Sequence, residues 1–425
     1  MTAQEILMRF HGNNKIVRDE TAASEISGNL IAMLGAFCLF LSAIEYMIPK
    51  PLPFFRIGLA NLPLMLALDI LPFPSFFILV CIKAFGQALI TGTLFSYIFL
   101  FSITGTFLSA LLMFFLRRSI GKDRITFIGI GTAGALVSNV SQLVLAYVFI
   151  FRESVRYIAP PFLLTGFVTG IVLGIFCEIF IQKSQWYKKC EGAVRRDEAN
   201  REDAPENGES NHKTVVRFEC AFTAKFYRDS FSANALFITG LFIMPALLFN
   251  PVTEYRIVQF LFFWFLAYLC GKKTNAVFTV LVIIFIIIFN LLIPYGRVLF
   301  SIGMFKITIG ALEAGVHRAV TLQGLVMLSK AAIRQDLMIP GMFGKMLGES
   351  LRIFSELIGR KYRVTGKNIF TEIDNLLLEL QGKEYKEIPS SEKSRTKLAG
   401  YIILAVIIIV SWVPFFAGTV LGIRG

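Results

Sequence analysis

Long apolar runs recur about eleven times along the chain, and each is close to the length a helix needs to cross a bilayer. The run Ala276–Pro294, AVFTVLVIIFIIIFNLLIP, carries no charge. A helix of roughly 20 residues, rising 1.5 Å per residue, spans about 30 Å of hydrocarbon. Composition agrees: 55% of the 425 residues are hydrophobic and 43 are Phe, with a mean hydropathy of +0.66. A soluble chain of this size could not cover so much apolar surface. The expected fold is therefore all-α: a polytopic integral membrane protein of about eleven transmembrane helices in two bundles, six and five, with a cytoplasmic helical block.

The formal charge of +13 does not point to nucleic acid. Its Lys and Arg gather at span ends and in two polar stretches, where the positive-inside rule places them. The first 29 residues are polar and contain Arg9, Lys15 and Arg18. No short apolar core before a small-residue cleavage site is present there, so no cleavable signal peptide is expected and the N-terminus is expected in the cytoplasm. Cys38, Cys81, Cys177 and Cys270 fall in or beside spans, and Cys190 and Cys220 fall in a charged stretch. None has metal-ligand spacing, and neither a disulfide nor a metal is expected.

Spans are expected near 30–48, 57–71, 73–91, 94–116, 125–150 and 160–182, forming a domain over 30–182 behind a cytoplasmic segment 1–29. The second is short and bracketed by Pro49, Pro51, Pro53, Pro72 and Pro74; it reads either as a tilted or re-entrant helix or as a full crossing. Residues 183–230, dense in both charge signs (RRDEANREDAPENGES), read as a flexible cytoplasmic linker. A second domain, 231–420, offers spans near 233–249, 254–270, 276–293, 297–314 and 398–417. A polar cytoplasmic block over 315–396 precedes the last of them. Within that block, Ala311–Ile333 and Met342–Ile358 are helical by pattern, suited to a membrane face, a partner or ordinary packing.

Ionisable and strongly polar groups inside spans are costly and become functional candidates. The first half holds Glu45, Arg56, Asp69, Lys83 and Glu178, with Asn61, Gln87, Asn139 and Gln142. Lys83 lies mid-span, with Gln87 one turn later on the same face. A buried ammonium requires a carboxylate or an anionic ligand, so Lys83 either bridges to Glu45 or Asp69 or touches a solute. Glu178 reads as a capping or snorkelling residue near its helix end. Asn139 and Gln142 either line a polar cavity or hydrogen-bond between helices. Small residues recur every four positions at Gly28, Ala32 and Ala36, and at Gly166, Gly170 and Gly174, which marks close helix packing.

No Walker A loop is present: Gly344-Lys345 is followed by Met346, and Ile339 stands five before Gly344. Nor is there an Asp-Asp-x-x-Asp pair to hold magnesium against a diphosphate. His11, His212 and His317 are scattered. The chain is expected to be no enzyme and to bind no cofactor of its own, so that any ATP would be used by partner subunits.

The segment Arg56–Asp69, RIGLANLPLMLALD, resembles the signature of the Gx transporter family, whose members are often labelled heptaprenyl diphosphate synthase component I. That family looks like the solute-binding S components of energy-coupling factor (ECF) importers. The resemblance covers roughly residues 28–185. It implies that Gly28, Ala32 and Ala36 form the face that docks on a transmembrane partner; Arg56, Asn61, Lys83, Gln87, Asn139 and Gln142 are the candidates to line a solute pocket. Two cationic groups would suit an anionic solute. The second half, about 222–420, resembles the T component of the same transporters in its organisation and in the string Gly310–Arg318. T components grip ATPases through Ala-Arg-Gly-like motifs; the nearest candidates are Arg352 and Arg363, neither with the expected neighbours, and Arg318, at the end of the Gly310–Arg318 string, joins them as an expected ATPase contact. The resemblance thus implies an S–T fusion in a bacterial inner membrane, partnered by ECF-type ATPases, a small solute and the bilayer, with no nucleic acid. The alternative that the family label implies is a membrane subunit supporting isoprenoid or quinone synthesis.

Overall fold

The computed structural model describes residues 28–46, 57–121, 124–199, 231–272, 274–302, 305–334, 337, 341–359, 369–381, 396 and 398–422. The first half contains α1 (Gly28–Tyr46), α2 (Leu62–Ala67), α3 (Phe73–Thr91), α4 (Tyr97–Ile120), α5 (Phe127–Ala146), α6 (Val155–Lys183) and α7 (Gln185–Ala199). The second half contains α8 (Ala233–Leu248), α9 (Thr253–Leu269), α10 (Ala276–Leu291), the hairpin strands β1 (Val298–Ile302) and β2 (Phe305–Thr308), α11 (Ile309–Ala332), α12 (Met342–Gly359), α13 (Ile369–Gln381) and α14 (Leu398–Gly422).

Local chemistry sets several of these boundaries. Pro72 and a proline in the first turn open α3, where a missing N–H costs nothing, and Gly92 closes it in the left-handed conformation at φ 62°. Side-chain oxygens of Thr126, Ser232 and Asn275 accept the first free amides of α5, α8 and α10.

Among the described residues, five helical runs are long and apolar enough to cross a membrane: α1, α3, α4, Phe127–Lys183 and Leu398–Thr419. Phe127–Lys183 is 57 residues long, about 85 Å if straight, so it must fold back. It does so through a π turn at Tyr147–Phe151 and a 3-10 turn at Arg152–Ser154. Beyond that bend α6 returns along α5. A Cβ on Gly170 would lie 2.7 Å from Thr132 Cα and 2.9 Å from Gly131 O, and one on Gly174 would lie 2.7 Å from Phe127 O. The Gly166–Gly170–Gly174 stripe is thus the contact line of an antiparallel pair.

The expected eleven spans do not all reach that length. The stretch 57–71 holds only a 3-10 turn and the six-residue α2, wholly buried and about 9 Å long, too short to cross. Helices α8 and α10 have 16 residues each. The stretch expected as a span at 297–314 begins as an antiparallel hairpin, β1 on β2, so the fold is not purely helical. Of the three alternatives for Ala311–Ile333, a membrane face, a partner or ordinary packing, the structure takes the last. The segment belongs to α11, which is buried on every side from Ala319 to Ser329 and packs against α8, α9 and α10. Its charges, Glu313, Arg318 and Lys330, flank an uncharged centre that averaging along the sequence conceals. The expected linker starts as α7, whose Trp186, Tyr187 and Cys190 are buried.

The halves share one core. Leu34, Phe37 and Leu79 belong to the same buried cluster as Ala332, Leu347, Phe354 and Leu377. Phe95 N donates to Ser329 Oγ at 3.1 Å, and the Phe176 and Phe370 rings stack with centroids 4.7 Å apart. The amphipathic helix α12 lies across α1 and α3. A Cβ on Gly35 would come within 2.7 Å of Ser350 Oγ, and one on Gly86 within 3.2 Å of Leu347 Cδ1. Apolar side chains on the outside, including Leu164, Val172, Val277, Leu398 and Ile409, are exposed, as a lipid-facing surface requires.

Candidate functional site

The first half encloses a polar hollow between α1, the α2 turn, α3, α4, α5 and α6. Its atom-free space is about 620 Å³, the open mouth included. Five of the six residues expected to line a solute pocket meet there: Asn61, Lys83, Gln87, Asn139 and Gln142. The sixth, Arg56, lies outside the described residues.

Each is placed by its element. Gly58, at φ 90°, turns the chain into the 3-10 turn that carries Asn61. Glu45, at the end of α1, holds that turn: its Oε1 accepts Ile57 N at 2.8 Å and its Oε2 accepts Gly58 N at 3.2 Å. Lys83 Nζ donates to Asn61 Oδ1; the residue is 2% exposed. Asp69, the other carboxylate weighed for Lys83, is engaged by Arg117 instead, through Nε at 2.9 Å and Nη2 at 2.7 Å. Arg117 also donates to Ile125 O at 2.8 Å. The Lys83 and Asp69 charges therefore serve separate places, the hollow and the α2–α4 packing.

Asn139 fulfils both of its alternatives, since it lines the hollow and donates from Nδ2 to Phe162 O at 2.7 Å. Gln142 Nε2 donates to Ser138 Oγ at 3.0 Å, while its Oε1 is buried without a hydrogen-bond partner. Gly105 makes room for this side chain: a Cβ there would sit 2.8 Å from Gln142 Nε2. Ser102, Thr106, Ser138 and Thr169 complete the polar lining, with Met65, Met113 and Leu173 among the apolar groups. The sequence reading passed over these hydroxyls because Ser and Thr are ordinary in apolar helices, where they bond their own backbone. A signal existed in the four-residue spacing of Ser102 and Thr106, and of Ser138 and Gln142, which places each pair on one helix face.

The other expected site residues lie elsewhere. Ala32 and Ala36 are buried on α1, and a Cβ on Gly28 would stand 3.6 Å from Met346 Cε; the tighter approaches to α12 are at Gly35 and Gly86. Arg318, expected to touch an ATPase, is instead taken up between the halves, where Nη1 donates to Asn290 Oδ1 and to Ile150 O, the latter at 3.2 Å. Arg352 is half-buried on α12, and Arg363 lies outside the described residues. Among the described residues no group of His, Cys, Asp and Glu is placed to hold a metal ion.

Residues 34–180 match the family model described as heptaprenyl diphosphate synthase component I. Residues 234–335 match a model described as a domain of unknown function, DUF8519. No curated protein and no solved structure matches the chain. The first half is therefore similar to the heptaprenyl diphosphate synthase component I family, and the second is similar to a domain whose role is unassigned.

Proposed function

We propose that this chain is the membrane part of an ECF-type importer, a solute-binding module joined to an energy-coupling module, that takes up a small nutrient or cofactor precursor. The observation that carries the reading is the buried hollow beside Lys83. Polar side chains from five helices and a turn converge there inside an apolar body, an arrangement that costs stability unless it serves a ligand. The contact of α1 and α3 with the amphipathic α12 supports the reading further, because motion of α12 would be felt directly by the walls of the hollow. Two separate family models over 34–180 and 234–335 accord with two joined modules. In this reading the chain is no enzyme and holds no cofactor, ATP is used by separate ATPase subunits, and the protein resides in a bacterial inner membrane with its N-terminus in the cytoplasm. Arg352 and Arg363 are the residues proposed to face the ATPases.

Purification of the chain from its native membrane, with mass spectrometry of what accompanies it, tests this. ATPase subunits and a bound small molecule are expected, and Lys83→Met and Arg56→Gln are expected to abolish solute retention. Retention unchanged in both variants would remove the hollow from the mechanism. The description of the family matched by residues 34–180 favours a second reading, a membrane subunit supporting heptaprenyl diphosphate synthesis. Co-purification of a prenyl synthase without ATPases would select it.

A further inference from the structure

The hollow contains two polar atoms that the protein itself leaves unanswered. Gln142, 2% exposed, and Ser102, 3% exposed, both line it, and Gln142 Oε1 and Ser102 Oγ are buried without a hydrogen-bond partner. An unsatisfied buried polar atom costs about 1–3 kcal/mol, and the two come from different helices, α5 and α4. The carboxamide is not idle, since its other end donates to Ser138 Oγ at 3.0 Å, and in this arrangement Oε1 is the end left without a partner. Glu45, in the same lining, is also an acceptor. The same lining holds the Lys83 ammonium, a donor bonded to Asn61 Oδ1, and the Gln87 carboxamide.

We propose that Gln142 and Ser102 determine the specificity of this hollow, selecting a solute that presents an uncharged N–H donor beside a carbonyl acceptor, the edge of a lactam. The inference rests on the reading of the hollow as a solute site and adds the chemistry of the solute. A lactam gives its N–H to Gln142 Oε1 and accepts the Ser102 hydroxyl at its carbonyl, so both unanswered oxygens find a partner. A fully ionised carboxylate or diphosphate has only acceptors. Its oxygens can accept from the Ser102 hydroxyl and Lys83, but it has no donor for Gln142 Oε1, which stays unanswered. Sites built around a hydrogen-bonding pair discriminate strongly for this reason. Ala60 and Ala135 in the lining keep that part of the wall free of long side chains.

The test uses the full chain in lipid nanodiscs and isothermal titration with uracil, hypoxanthine and pterin, lactams of increasing size. The comparison probes are 1,3-dimethyluracil and 1-methylhypoxanthine, which lack the lactam N–H donor, and succinate and pyrophosphate, which are anionic. At least one lactam is expected to bind, its N-methylated form to bind about tenfold or more weakly, and Gln142→Met to erase that difference. Gln142→Met removes the unpartnered Oε1 together with the Nε2 bond to Ser138 Oγ, two effects of opposite sign on the melting temperature; Ser102→Ala is the second variant should it fall. The inference is overturned if succinate or pyrophosphate binds more tightly than every lactam, if no lactam binds, or if both variants leave lactam affinity within twofold. Anion binding lost in Lys83→Met would overturn this inference while preserving the solute site. The absence of any bound molecule from both the titrations and the native purification would remove the site reading itself.

Discussion

Replacing Asp374 with Ala is expected to loosen the contact by which the second half grips the start of α7. Asp374 lies on α13 at 9% exposure, and its carboxylate accepts from Ser184 Oγ, from Gln185 N at 3.0 Å and from Trp186 N at 3.1 Å. It therefore satisfies the free amides at a helix N-terminus with a negative charge, where the helix dipole favours one. Hydrogen bonds to a charged group contribute about 1.5–3 kcal/mol, and loss of an N-cap about 0.5–2 kcal/mol. Ser184 Oγ would still accept Tyr187 N, now at 3.0 Å, so part of the cap survives and a net loss of about 2 kcal/mol is reasonable. At 1.4 kcal/mol per factor of ten, that is about a 30-fold rise in local opening. Hydrogen exchange read by mass spectrometry over residues 184–190 measures it directly. Asp374→Asn keeps one acceptor oxygen and should show about a fivefold rise. Exchange within twofold of the parent in Asp374→Ala would refute the reasoning, and would mean that α7 is held by its buried Trp186 and Tyr187 alone.

Three further outcomes are expected. Gly170→Ala should lower the melting temperature in detergent, because its Cβ would meet Thr132 Cα at 2.7 Å and overpacking costs about 1–3 kcal/mol; Gly192→Ala, with nothing within 4 Å, should leave it unchanged or raised. Asp69→Asn should destabilise by about 3–5 kcal/mol by leaving the Arg117 guanidinium without its carboxylate, whereas the double change Asp69→Leu with Arg117→Met should lose much less, as a denaturation series would reveal. Burial pushes the Cys190 thiol up to about 11, against a smaller opposing pull from Gln381. It should therefore stay protonated at pH 8 and react slowly with N-ethylmaleimide, faster only as pH approaches 11, and faster at pH 8 once Asp374→Ala frees α7.

The seam at Arg318 shows how sequence and structure divide the work. The string Gly310–Arg318 could be read as an entry to a cytoplasmic block because a charge every few residues looks the same on a surface helix and at the ends of a buried one. Only when α11 is packed among α8, α9 and α10 does the guanidinium fall beside Asn290 and the Ile150 carbonyl of the other half. Asp69 teaches the same lesson. A carboxylate in a span announces a cationic partner, but Lys83 and Arg117 lie 14 and 48 residues from it, and nothing local ranks them.

Run length and charge content alone pointed to apolar helices, several of membrane length, to a charged stretch near 200, and to Asn61, Lys83, Gln87, Asn139 and Gln142 as worth a joint explanation. These are properties of single helices, where a period of 3.6 residues and the cost of burying a charge act without reference to distant chain. The tertiary structure decided what the helices do to one another: α1 and α3 against α12, α6 folded back on α5, α7 capped by Asp374, and a hollow whose two unanswered oxygens come from α4 and α5. Partner choice across such separations depends on which faces meet in three dimensions, and that information resides in no window of the sequence.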